Sequence, residues 1–266
     1  MTGSTTEINP AGTTAKLRNV YLFGEALVAS LRRSPHLPGL VVFHGPSGYG
    51  KTFAATYSAN QFRAFYVECK SGWTKRALCL GILHELGHEP RQRVYEMTSQ
   101  IAEHLLTVER PLIIDEADHV LAAGAIEVVR DIHDSSGAAI ALIGEERLPA
   151  KLRAVERVHN RVLRWVAAEP CDAADAQALA ALYCPDHPIA EDLLAAVIEA
   201  SRGGARRICI NLDLIRAAAE ADMVRAAGAI TPLPPALDLA WWNARPLYTG
   251  QVEPRPDAWT GRRGGR

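Results

Sequence analysis

The chain has 266 residues, 48% of them hydrophobic and 22% charged, with a formal net charge of −1. That length accommodates one large α/β domain and a small second one around a sizeable core. The near-neutral charge excludes an argument for nucleic acid from overall electrostatics, so any such surface has to come from a local patch.

In chain order, residues 1–14 are rich in Thr, Gly and Ser and predict a disordered arm. They lack the charged-then-apolar pattern of a secretory signal. Residues 15–34 carry apolar positions at helical spacing and predict one or two helices, stopped by Pro35-His36-Leu37-Pro38-Gly39. Leu40-Val41-Val42-Phe43 is then a short continuous apolar run, the pattern of a strand buried on both faces. Comparable runs follow at 64–67, 112–114, 139–143 and 162–166. Helical stretches at 51–60, 74–87, 93–108, 119–135 and 147–158 alternate with them. Such alternation predicts a parallel sheet with crossover helices.

After Pro170 the strand pattern stops. Residues 172–183, 190–201 and 204–227 read as helices of a small helical region. Residues 231–266 hold many prolines, Trp241, Trp242, Trp259 and a Gly/Arg end, the composition of an extended tail that folds on a partner. No apolar run reaches the roughly 18 residues needed to cross a bilayer. Cys69, Cys79, Cys171, Cys184 and Cys209 are scattered. The C-x-x-H of Cys184 and His187 lacks a second ligand pair, so isolated thiols in a reducing cytoplasm are expected.

Gly45-Pro46-Ser47-Gly48-Tyr49-Gly50-Lys51-Thr52 matches G-x-x-x-x-G-K-[ST] in full, after a strand and before a helix. Glycines let backbone N–H groups turn inward around phosphates, and the positive end of the following helix points the same way. Lys51 is expected on the β- and γ-phosphates of ATP, and the Thr52 hydroxyl on Mg²⁺. Leu112-Ile113-Ile114-Asp115-Glu116 delivers two adjacent acids at the C-terminal end of a strand, where α/β sheets place their chemistry. Asp115 is expected in the Mg²⁺ shell and Glu116 as general base for water. Asp118 and His119 read more simply as the start of the next helix. No N-K-x-D for guanine occurs.

With both motifs placed, the chain resembles the AAA+ ATPases over roughly residues 15–225. It is most similar to those of DNA transposition, of the phage Mu B and TnsC type, with IstB-like helicase loaders nearby. The residues that carry this are HGPSGYGKT, LIIDEADH, the strand ending ALIG, and SRGGARRI. The resemblance implies a five-stranded parallel sheet flanked by helices (15–170), a small helical lid (171–230) and a tail (231–266). It also implies a sensor-1 strand at 139–143, tipped by Glu145 where the family shows a neutral polar residue, which puts the efficiency of hydrolysis in question. It implies an arginine finger for a neighbouring subunit, Arg161 or Arg157, and a sensor-2 arginine, Arg206 or Arg207. A basic first turn opposes the helix dipole, which favours a functional reason for these arginines.

The resemblance further implies ATP-dependent self-assembly into filaments or rings on duplex DNA, and a transposase as partner. The local patch for phosphate contact is Lys70, Trp73, Thr74, Lys75 and Arg76, with Lys151 and Arg153 as further candidates. The Mu B type carries an N-terminal DNA-binding domain, for which the short arm here leaves no expectation. Three other readings stay open: a helicase-loading or replication ATPase, a secretion or signalling ATPase that acts without DNA, and a non-hydrolysing ATP switch suggested by Glu145.

Overall fold

The computed structural model describes residues 17–226 and 234–250. The expected N-terminal arm, Trp259 and the Gly/Arg end lie outside them. Five strands form one parallel sheet: β1 (Leu40–His44), β2 (Phe65–Glu68), β3 (Leu112–Asp115), β4 (Ile140–Gly144) and β5 (Val162–Ala167), in the order β2-β3-β4-β1-β5. This is the five-stranded parallel sheet that the apolar runs predicted.

The reason the runs are continuous is visible in the core. Val41 and Phe43 of β1, Ile113 of β3, and Ala141 and Ile143 of β4 face one hydrophobic cluster. Leu40, Val42, Leu112, Ile114, Ile140 and Leu142 face the other. The three inner strands β1, β3 and β4 are covered on both faces, so both parities have to be apolar, whereas the edge strands β2 and β5 expose Glu68 and Arg164. Full burial of each such side chain stabilises the fold by about 1.5–3 kcal/mol.

On the first face lie α1 (Arg18–Leu31) and α2 (Lys51–Phe62). On the second lie α3 (Lys75–Glu85), α4 (Val94–Thr107), α5 (Ala117–Ala122), α6 (Ile126–Ser136), α7 (Leu148–Arg153) and α8 (Glu156–His159). Two of the predicted helices are each split. The stretch 119–135 breaks at Gly124, whose φ of 62° puts it in the left-handed region that ends α5. The stretch 147–158 breaks at Ala154 and Val155, where Val155 leaves helical geometry.

The helical region is α9 (Ala173–Tyr183), α10 (Glu191–Ser201) and the 22-residue α11 (Ala205–Ala226). Its apolar side chains, among them Leu179, Val197, Ile208 and Leu212, belong to the same cluster as α1 and the first sheet face.

The extended tail expected from residue 231 is corrected in its described part. Residues 234–250 run back along the helical region. Leu237 is 1% exposed and bridges in parallel to Ile189. A short helix α12 (Leu239–Trp242) follows, N-capped by Asp238. Trp242 is buried, and its indole N–H donates to the carbonyl of Arg245 at 2.7 Å. The Arg245 guanidinium lies over the Trp241 ring and pairs with Asp222 at 3.0 Å. Beyond it, buried Asn211 of α11 exchanges two hydrogen bonds with the backbone of Tyr248, at 2.6 and 3.0 Å. Trp241 and Trp242 therefore pack on their own chain, because buried apolar area outweighs the proline-rich local composition.

Candidate nucleotide site

β1 ends at His44 between β4 and β5, and the glycine loop crosses from it to α2. Gly48 and Gly50 have φ of 84° and 80°, in the region that side chains disfavour. At Gly48 an added Cβ would meet nothing closer than 3.5 Å, so backbone angle, not space, calls for glycine there. Gly50 caps α2 without a side-chain acceptor, and no acid occupies the first turn. The positive end of α2 is left open to an anion.

Lys51 folds its ammonium over the loop, donating to the carbonyls of Gly45 at 2.7 Å and Pro46 at 2.8 Å. Burial lowers its pKa, while the nearby charges of Glu116 and Asp115 act against that. Across the cleft, Asp115 sits at the tip of β3, 2% exposed. Its Oδ1 accepts the N–H of Glu116 at 2.8 Å and its Oδ2 accepts the Tyr66 hydroxyl at 2.9 Å. Burial, then the charge of Asp115, pushes the Tyr66 phenol well above its ordinary range, so it stays a donor. Glu116 turns the chain with φ of 53°. Its carboxyl pKa is raised, first by burial and then by Asp115.

A cavity of about 270 Å³ brings the glycine loop and Glu116 together, with Asp115 next to Glu116 but outside its lining. Ser47, Gly48, Gly50, Lys51, Thr52 and Glu116 form its polar side. Leu17, Leu179, Tyr183 and Cys209 form its apolar side, and Arg206 closes it from the start of α11. The backbone N–H of Arg206 also donates to the carbonyl of Gly48 at 3.0 Å. Arg207 stays outside this cavity, its guanidinium against Gly250. Pro46 and Tyr49 line an adjoining cleft with Arg202 and Arg206. Oxygen donors, the Thr52 hydroxyl and the Asp115 carboxylate, suit a hard cation such as Mg²⁺, and each Asp115 oxygen keeps a lone pair beyond the bond described.

Other expected residues stand apart. Arg161 lies at the foot of β5, where its carbonyl accepts from Leu40 at the opposite end of β1 from the glycine loop. Its guanidinium is held by Asp134 through two bonds of 3.0 and 2.9 Å, so it is remote from its own chain's cavity. Arg157 is exposed and has no side-chain partner among the described residues.

In the 70–76 loop the Trp73 ring is half-buried and turned toward the domain. It packs where a Cβ on Gly81 would come within 2.7 Å. Thr74 caps α3 by accepting from the N–H of Ala77 at 3.3 Å. Lys70 faces Glu68 at 3.5 Å, Arg76 donates to the carbonyl of Gln92, and Lys75 is exposed without a side-chain partner among the described residues. Trp73 and Thr74 are thus engaged within the domain, and the outward polar groups of the loop are Lys70, Lys75 and Arg76. Arg153 rests over the Trp165 ring.

Three residues were missed by sequence reasoning. Asp118 does not cap α5. Its Oδ2 accepts the N–H of Glu145 at 2.7 Å and its Oδ1 the Lys151 ammonium at 2.6 Å, tying the end of β3 to the tip of β4. Asn19 bonds the carbonyls of Tyr49 and Glu169, each at 2.8 Å, which fastens α1 to the glycine loop. Tyr66 is the third. Each looks like an ordinary polar residue in its own element, and only the fold supplies the partner.

Residues 33–152 match the AAA domain family, a span holding both motifs but not the helical region. No curated protein matches the sequence. Among solved structures, the chain is similar to Cdc6p from Pyrobaculum aerophilum at 17% identity and a TM-score of 0.60, covering 80% of this chain and 65% of that one. The Aeropyrum pernix ORC2 protein, solved as ADPNP-ADP complexes, is similar at 12% identity and a TM-score of 0.61, covering 84% and 64%. The Aeropyrum pernix ORC1 protein in complex with DNA is similar at 20% identity and a TM-score of 0.52, covering 78% and 60%. The chain spans a little under two thirds of the length of each. With the matched domain, the parallel sheet order and the glycine loop at the end of β1, the chain has the fold of an AAA+ P-loop NTPase.

Proposed function

We propose that this chain binds and hydrolyses ATP with Mg²⁺ and assembles on duplex DNA as a replication-type AAA+ ATPase. The observation that carries the catalytic part is the single cavity holding Lys51, Thr52, Glu116 and Arg206 beside the open end of α2. Lys51 and the backbone of the glycine loop bind the phosphates. Arg206 adds a cation from the helical region. Thr52 and Asp115 would hold Mg²⁺, whose charge would offset that of the phosphates. Glu116, with its raised proton affinity, takes the proton of the attacking water. Leu17, Leu179 and Tyr183 offer the base an apolar wall. Arg161 or Arg157 serves a neighbouring copy, and for Arg161 this requires release from Asp134.

The likeness to Cdc6p and to ORC proteins, one of them solved with DNA, supports a replication-type role over service to a transposase, which no comparison supports. Lys70, Lys75 and Arg76 are the proposed phosphate contacts. The test measures fluorescent-ATP binding with Mg²⁺, phosphate release with and without duplex DNA, and assembly size in parallel. ATP-dependent assembly on DNA supports the reading. A folded sample with no affinity for Mg-ATP overturns it.

A further inference from the structure

Both oxygens of the Asp115 carboxylate are held, one by the Glu116 backbone and one by Tyr66. Among the described residues, Tyr66 is the side chain that donates to it. Its placement follows from strand register. Tyr66 pairs with Ile113, and Glu68 pairs with Asp115, across β2 and β3. Residues of one parity share a sheet face, so Tyr66 and Asp115 lie on the same face as diagonal neighbours, within reach of a long aromatic side chain. The hydroxyl meets Oδ2 at 2.9 Å, an ordinary hydrogen-bond length.

Without that bond the Asp115 side chain would have one tether, the N–H of the residue next to it. A carboxylate on one tether can turn about its terminal torsion, which is broad and soft. With two tethers the plane of the group is set, and so are the lone pairs that remain for a cation. Glu116 gains too, because its own backbone N–H is one of the two anchors.

We propose that Tyr66 is a positioning residue for the divalent cation: its hydroxyl fixes the Asp115 carboxylate, and the affinity for Mg²⁺ with nucleotide depends on that bond. This rests on reading Asp115 and Thr52 as the cation's ligands. A purely structural hydroxyl would instead affect folding, or nucleotide binding with and without metal alike. Groups that orient a metal ligand from behind typically change metal affinity by about 10–100-fold when removed.

The experiment titrates Mg²⁺ against fluorescent-ATP affinity for the full chain, its Tyr66→Phe variant, Asp115→Asn, and the double variant, with melting curves for each. Tyr66→Phe is expected to raise the Mg²⁺ concentration at half-saturation by about tenfold, with nucleotide affinity in EDTA unchanged. In the Asp115→Asn background the same change should add nothing, because the partner is already altered. An unchanged Mg²⁺ requirement in Tyr66→Phe, or an equal loss in EDTA, overturns the proposal. A wild-type chain whose nucleotide affinity ignores Mg²⁺ overturns the reading of the cation site beneath it, and is told apart because wild type alone reveals it.

Discussion

The backbone N–H of Arg206 donates to the carbonyl of Gly48 at 3.0 Å, so the first turn of α11 is bonded to the glycine loop by main chain. The guanidinium is a separate matter, since it lines the cavity and has no side-chain partner among the described residues. Arg206→Ala removes only the cation. ATP affinity should fall by about tenfold, the order of 1.4 kcal/mol expected of a hydrogen bond to a charged group, and the melting temperature should hold. Arg206→Pro also removes the N–H, at the second residue of α11, where the helix itself asks for no such donor. It should lower the melting temperature as well as the affinity. Calorimetry on both variants checks this, and equal melting in both would show that the main-chain bond carries no weight.

Glu116→Gln should abolish turnover by about 10²-fold or more while ATP binding survives. The acid limb of the pH–rate profile should lie above the ordinary carboxylate range, because burial and Asp115 raise the Glu116 pKa. The sign for stability follows. A carboxyl whose pKa is higher folded than unfolded loses stability as pH rises through the folded value. The Gln variant should therefore melt higher than wild type at neutral pH, and the gain should vanish below the ordinary carboxylate pKa. Turnover retained in Glu116→Gln would remove the base assignment.

Leu237 and Trp242 anchor the segment after α11, and both are almost fully buried. Leu237→Ala should cost about 2–5 kcal/mol and Trp242→Ala about 3–5 kcal/mol, read by denaturant unfolding. An extended tail would show no loss at either position.

Much of the sheet was legible because its three inner strands are buried on both faces, which writes itself as an unbroken apolar run at Leu40–Phe43 and Leu112–Ile114. The glycine loop was legible because its backbone angles demand glycine at Gly48 and Gly50. Trp73 was misleading: beside Lys70, Lys75 and Arg76 it reads as part of a phosphate surface, yet its ring packs over Gly81. The segment 234–250 was illegible for a related reason, since proline and tryptophan content says nothing of a partner as distant in sequence as Asn211.

Lys75→Ala should weaken duplex-DNA binding and lower the salt slope by about one counterion. Trp73→Ala should instead lower stability and leave that slope unchanged. Anisotropy titrations at several salt concentrations separate the two. A lower slope in Trp73→Ala would return the indole to the contact surface.

α9, α10 and α11 pack chiefly on one another, and their apolar side chains run on into the cluster of α1 and one sheet face. The helical region therefore has apolar packing of its own, which a displacement as a unit would leave in place. On the proposed function, any shift of Arg206 with the nucleotide's state would carry α9, α10 and α11 along as one body.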